Sequence, residues 1–121
     1  MQQLDADSPI VNDVRWDDPT GSLLAKIDGE IDLHVSPGMR EVLMGLVDGR
    51  PVKKLVLNLE GVPYMDSSAI AVLVELLQKL RANEGRIFLC NLHERVRGLL
   101  EIARLETIFE LVDSEQNALG S

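Results

Sequence analysis

Two apolar rhythms alternate along this chain. Unbroken runs at Leu55-Val56-Leu57 and Ile87-Phe88-Leu89-Cys90 read as strands buried on both faces, the pattern of parallel strands inside an α/β domain. Elsewhere apolar residues recur at helical spacing: Met39, Val42, Leu43, Leu46 and Val47, then Leu73, Leu76, Leu77 and Leu80, then Val96, Leu99, Leu100 and Ala103. Ile10, Val11, Val14 and Trp16 give a first strand of irregular alternation. The turn signal Asp17-Asp18-Pro19-Thr20-Gly21 separates it from a second strand, Leu23 to Ile27, and the two form an antiparallel hairpin. Ile108, Phe109, Leu111 and Val112 make a short last strand, and Asp113-Ser114-Glu115-Gln116 caps a final short helix ending near Leu119. The sum is one α/β domain over residues 10–121. Its sheet is mixed, with about five strands: the hairpin, then strands alternating with helices, about four helices in all. Residues 1–9, polar, acidic and closing on Ser8-Pro9, read as a loose tail.

Helix starts and stops sharpen this picture. Ser36 as cap with Pro37 at the first helical position opens the first helix, and Asp48-Gly49-Arg50-Pro51 ends it. Asp66 is the natural cap of the second, which places Ser67 and Ser68 in its first turn. Glu75 and Lys79 stand in the favoured order for an intrahelical pair. Asn83-Glu84-Gly85 closes the helix, with Gly85 suited to the left-handed position.

Composition narrows the function. The 121 residues suffice for a core without staples, but aromatics are only 3%, which speaks against base-stacking platforms. A net charge of −8 opposes binding to nucleic-acid phosphates or an anionic membrane. The single cysteine, Cys90, cannot form an internal disulfide and reads as a small buried hydrophobe in a reducing compartment. Met1 to Asp7 carries neither the basic nor the apolar part of a signal peptide, and no segment reaches the ~20 apolar residues of a membrane span. The expected location is the cytoplasm, without membrane insertion.

Enzyme chemistry finds little support. The chain has no phosphate-cradling glycine loop, and Ser67 is not inside a Gly-x-Ser-x-Gly elbow. His34 and His93 are isolated, read as exposed loop residues, and have no orienting partner for a serine hydrolase. No spacing of ligands suggests a metal or cofactor. What remains is a well-placed hydroxyl, Ser67, held at a strand-to-helix turn beside Asp66. The acidic loop containing Glu30, Asp32 and His34 is either a solvated turn or part of an interaction surface. Because loops after successive parallel strands gather at one sheet edge, Asp32 and Asp66 are expected near each other. Plain helix capping is the other reading of Asp66-Ser67-Ser68.

The stretch Asn58-Leu59-Glu60-Gly61-Val62-Pro63-Tyr64-Met65-Asp66-Ser67-Ser68-Ala69-Ile70 resembles the signature of STAS-domain anti-sigma factor antagonists. Gly29-Glu30-Ile31-Asp32 is similar to that family's Gly-Glu-Leu-Asp, and the resemblance runs over about residues 23–119. It implies a STAS-like fold and partner switching. The unphosphorylated antagonist binds an anti-sigma factor that is also an ATP-dependent serine kinase, and the sigma factor is freed. Phosphorylation of the first serine after the aspartate, here Ser67, prevents binding, and a serine phosphatase reverses it. The implied partner surface takes in Asp66, Ser68 and Ala69, with Glu30, Asp32 and His34 beside them. Ala69 stands where the family usually has glycine, and a methyl there is expected to narrow a kinase's approach or fix the turn differently. The alternative is a STAS subunit of another assembly, a lipid-transport complex or stress-signalling scaffold, docking through the same helix start without a phosphate cycle.

Overall fold

The computed structural model describes residues 1–5 and 8–121. The chain runs β1 (Gln2–Leu4), β2 (Val11–Asp17), β3 (Ser22–Asp28), α1 (Ser36–Asp48), β4 (Lys54–Gly61), α2 (Ser67–Ala82), β5 (Arg86–Cys90), α3 (Glu94–Ile102), β6 (Glu110–Val112) and α4 (Glu115–Leu119). The strands lie side by side in chain order. β1–β2 and β2–β3 are antiparallel, and β3–β4, β4–β5 and β5–β6 are parallel. The mixed α/β sheet with four helices is thus the one expected, with six strands where about five were read. Each parallel step crosses over through a helix and advances the same way across the sheet, which stacks α1, α2 and α3 on one face.

Strand residues alternate accordingly. Leu23, Ala25, Ile27, Leu55, Leu57, Leu59, Ile87 and Leu89 join the core under α1–α3. Leu24, Val56, Phe88 and Cys90 face the other side with Ala118 of α4. Two-sided burial is why β4 and β5 read as unbroken apolar runs. α2 buries Ala69, Val72, Leu73, Leu76, Leu77 and Leu80, its predicted stripe with one turn added, each large side chain worth ~1.5–3 kcal/mol of transfer.

Three local expectations are corrected, and a fourth is borne out and explained. The stretch read as a loose tail contains β1, paired Gln2↔Trp16, Gln3↔Arg15 and Leu4↔Val14, and the Ser8 hydroxyl accepts from the N–H groups of Ile10 and Val11. Its polar sequence hides the strand because edge pairing is a backbone interaction. Ala6 and Asp7 lie outside the described residues. The irregular alternation of β2 is a bulge between Asn12 and Arg15, with Asp13 at φ 47°. Glu75 and Lys79 do not pair with each other: Glu75 holds Arg40 and Lys79 holds Asp48, both on α1, because α1 lies against that flank of α2. Finally, the left-handed residue after α2 is Glu84, φ 59°, not Gly85. Gly85 is required by crowding instead: a Cβ there would sit 3.1 Å from the Leu80 carbonyl and 3.2 Å from that of Val52.

Candidate functional site

The loops leaving β3 and β4 are zipped together at one end of the sheet. Gly29 N–H donates to the Gly61 carbonyl (2.8 Å), Ile31 N–H to Tyr64 (3.1 Å) and Asp66 N–H back to Ile31 (3.0 Å), with Ile31 and Met65 bridged in parallel. Gly61 permits this closeness, since a Cβ there would fall 1.9 Å from Asp28 Oδ1. Ile31, Val62 and Met65 anchor both loops in the core. The residues around Asp32 and those around Asp66 are therefore neighbours.

Asp66 is extended (φ −104°, ψ −174°) and caps α2 by accepting from Ser68 N–H at 2.9 Å. The Ser68 hydroxyl also donates to the same oxygen. That hydroxyl contact, joined by the N–H groups of Ser68, Ala69 and Leu33 and opposed by desolvation, holds the Asp66 carboxyl below its ordinary value. It is an ionised acid at neutral pH. Ser68 in turn accepts from the hydroxyl of Ser36 at 2.9 Å, a residue of α1 only 3% exposed. A chain of donors thus runs Ser36 → Ser68 → Asp66 and ties the starts of two helices together.

Ser67 is the first residue of α2 and is exposed. The hydrogen bonds that engage Ser36, Ser68 and Asp66 leave its hydroxyl out. Its neighbours on the chain differ sharply: Ser68 is half-buried and Ala69 is 0% exposed. The expectation that Ala69 belongs to a partner surface is corrected, because its methyl packs in the core and cannot crowd a docking molecule.

Asp32 does the capping that Ser36 was expected to do. Its Oδ1 accepts from His34 N–H (2.9 Å) and Val35 N–H (3.2 Å), an Asx turn leading into α1. Val35 is the residue before the helix and makes no side-chain cap. Ser36 is drawn inward to Ser68 instead. Glu30 and His34 are exposed on this loop, and neither side chain bonds to Asp66 or Ser67. His93 bonds through its ring to the carbonyl of Glu60, not to Ser67. Among the described residues no group of three or more metal-ligating side chains occurs, and no helix is long and apolar enough to cross a membrane.

Sequence reading missed four contributors. Ser36 was taken for a cap; nothing in one sequence shows that a hydroxyl 32 positions away will meet Ser68. Leu33, 69% exposed, and Tyr64, 38% exposed, are large apolar groups displayed on the two zipped loops. Arg95 of α3 lies over the Tyr64 ring, 5.0 Å from its centroid. A signal for Leu33 exists in retrospect: it stands between Asp32 and His34 in a polar loop, ahead of the helical stripe that begins at Met39.

The arrangement displays a charged, preset surface with the Ser67 hydroxyl outside its hydrogen-bond network and Leu33 and Tyr64 exposed at its edge. The STAS domain family profile matches residues 14–118. An anti-sigma F factor antagonist of Paenibacillus polymyxa is 29% identical over 99 residues, 82% of this chain and 85% of that protein. An anti-sigma-B factor antagonist of Staphylococcus aureus is 31% identical over 87 residues, covering 71% and 79%. The phosphorylated form of the Bacillus cell fate determinant SpoIIAA superposes with a TM-score of 0.65 at 22% identity, over 84% of this chain and 90% of that one.

Proposed function

Since the chain belongs to the STAS domain family, we propose that it is an anti-sigma factor antagonist whose docking to an anti-sigma factor is switched by phosphate on Ser67. The observation that carries this reading is the exposed, unengaged Ser67 hydroxyl on a rigid helix start, next to a fixed carboxylate. In this reading the partner is both anti-sigma factor and serine kinase, using Mg-ATP, and a serine phosphatase resets the cycle. All three act in the cytoplasm. The protein is a regulator and carries no catalytic group of its own. Leu33 and Tyr64 supply apolar anchors, while Asp66, Asp32, Glu30 and His34 supply polar contacts at the rim.

Energetics favour a switch of this kind. Phosphate adds about −1.5 to −2 charge at pH 7. The N-terminus of α2 accommodates that charge with ~1 kcal/mol of favourable interaction, so the fold survives. Pressed into an interface beside ionised Asp66, the same dianion costs ~2–5 kcal/mol. The interface gives way first.

The test is incubation with the cognate kinase and Mg-ATP, followed by peptide mass spectrometry. Phosphate on Ser67 and loss of kinase binding on its addition are the expected results. Phosphate elsewhere, or undiminished binding by the phosphorylated form, sinks the reading.

A further inference from the structure

Two serines stand side by side at the start of α2, and a kinase that reaches one comes within a residue of the other. Resting on the reading above, we propose that Ser36, far away in sequence on α1, selects between them by occupying Ser68.

Phosphoryl transfer sets the requirement. A serine Oγ lone pair forms a bond to the γ-phosphorus of a nucleoside triphosphate while the bond from that phosphorus to the β-bridging oxygen breaks. The hydroxyl proton passes to a base of the kinase, and the nucleoside diphosphate leaves. An acceptor hydroxyl therefore needs a free lone pair and a proton it can release.

Ser68 keeps one free lone pair, but two hydrogen bonds fix which way its hydroxyl points. Its proton points to Asp66 Oδ1, and one of its two lone pairs receives the Ser36 hydroxyl proton at 2.9 Å. Asp66 also grips the Ser68 N–H at 2.9 Å, so the residue cannot swing out without breaking the cap. Ser36 cannot easily turn away either, being 3% exposed at the first position of α1. Ser67 carries none of these ties. Ser36 touches no substrate. It is a positioning residue that withholds Ser68 and steadies Asp66 for the benefit of Ser67.

The experiment uses the full chain with its kinase and Mg-ATP, phosphate being located by peptide mass spectrometry. Wild type is expected to carry phosphate on Ser67, and Ser67→Ala to carry almost none. Ser36→Ala combined with Ser67→Ala should restore phosphate on Ser68 by about tenfold over Ser67→Ala alone, the factor that one ordinary hydrogen bond supplies. Ser36→Cys, which keeps the volume but donates weakly, should act in the same direction if the alanine variant fails to fold. Ser36→Thr, which keeps the hydroxyl, should leave Ser68 blank. Thermal unfolding of each variant separates lost structure from lost selection. A folded Ser36→Ala or Ser36→Cys variant in the Ser67→Ala background that stays unphosphorylated overturns the role of Ser36 while leaving the switch intact. A wild type that takes no phosphate on Ser67 overturns both.

Discussion

The start of α2 and the start of α4 are made from the same kinds of residue. At α2 the cap is Asp66, accepting from Ser68 N–H; at α4 it is Ser114, accepting from Asn117 N–H at 3.1 Å, with Glu115 next to it. Both carboxyls are held below their ordinary values. For Asp66 the main cause is the Ser68 hydroxyl; for Glu115 it is the Arg15 guanidinium, with the Asn58 amide adding to it. The lengths of the helices divide their uses. α2 has sixteen residues and a buried stripe of six, so packing holds it, and its polar start is free to face outward. α4 has five residues and buries only Ala118. Side chains must hold it to the sheet: Arg15 grips Glu115 through two bonds of 2.7 and 2.8 Å, and Lys54 donates to the carbonyls of Ala118 and Leu119. Polar groups are available for a partner where aliphatic packing has already secured the element.

The contrast can be broken most forcefully at Ser67. Its phosphorylation should weaken partner binding roughly 30- to 3,000-fold, from ~2–5 kcal/mol of interface cost, and leave the unfolding midpoint nearly unchanged. Binding calorimetry beside thermal unfolding measures both, and a large loss of stability would contradict it. At α4 the outcome inverts. Glu115→Ala leaves half-buried Arg15 with only the looser Asp13 contact, 3.5 Å from Nε to Oδ2, with an expected loss of about 1–2 kcal/mol in urea unfolding, reduced by the solvent that still reaches the pair; partner affinity should hold.

Acid sharpens the same distinction. A carboxyl whose folded value lies below its unfolded one contributes stability that is complete above the unfolded value. That contribution drains away as pH falls through the folded one. For Glu115 the ordinary value is 4.5, so stability should decline below about that pH, and Glu115→Ala should flatten this part of a pH–stability curve. Ala69→Gly is a perturbation of similar size. It should cost about 1–2 kcal/mol of stability, from a glycine in a helix and the lost burial of one methyl, without tightening or loosening the partner, because the methyl is inside. Smallest of all is Glu75→Gln, which removes an exposed ion pair with Arg40; unfolding midpoints should coincide within replicate scatter.

How much could be read in advance follows from how local each interaction is. The Asp66 cap, the stripe Leu73–Leu76–Leu77–Leu80 and the Ser114 cap involve neighbours within one or two helical turns, and spacing reveals them. The unbroken runs in β4 and β5 announced two-sided burial. What spacing could not reveal was which distant groups would meet. Glu75 chose Arg40 across the helix pair over Lys79 on its own helix. Ser36 abandoned the cap of α1 for Ser68, and Asp32 took its place. Ala69 looked like part of a surface motif, yet the first turn of α2 rotates it into the core.

The sequence by itself determined the order of elements from β2 onward, the apolar faces and the candidate serine, because these rest on hydrogen bonds and periodicities confined to short segments. Only the tertiary structure decided that the loops after β3 and β4 zip together, that Ser68 is engaged while Ser67 is free, and that Leu33 and Tyr64 stand exposed beside them. Each of these depends on contacts between residues some thirty positions apart. Such pairings are fixed by how helices and strands stack, which no single stretch of chain contains.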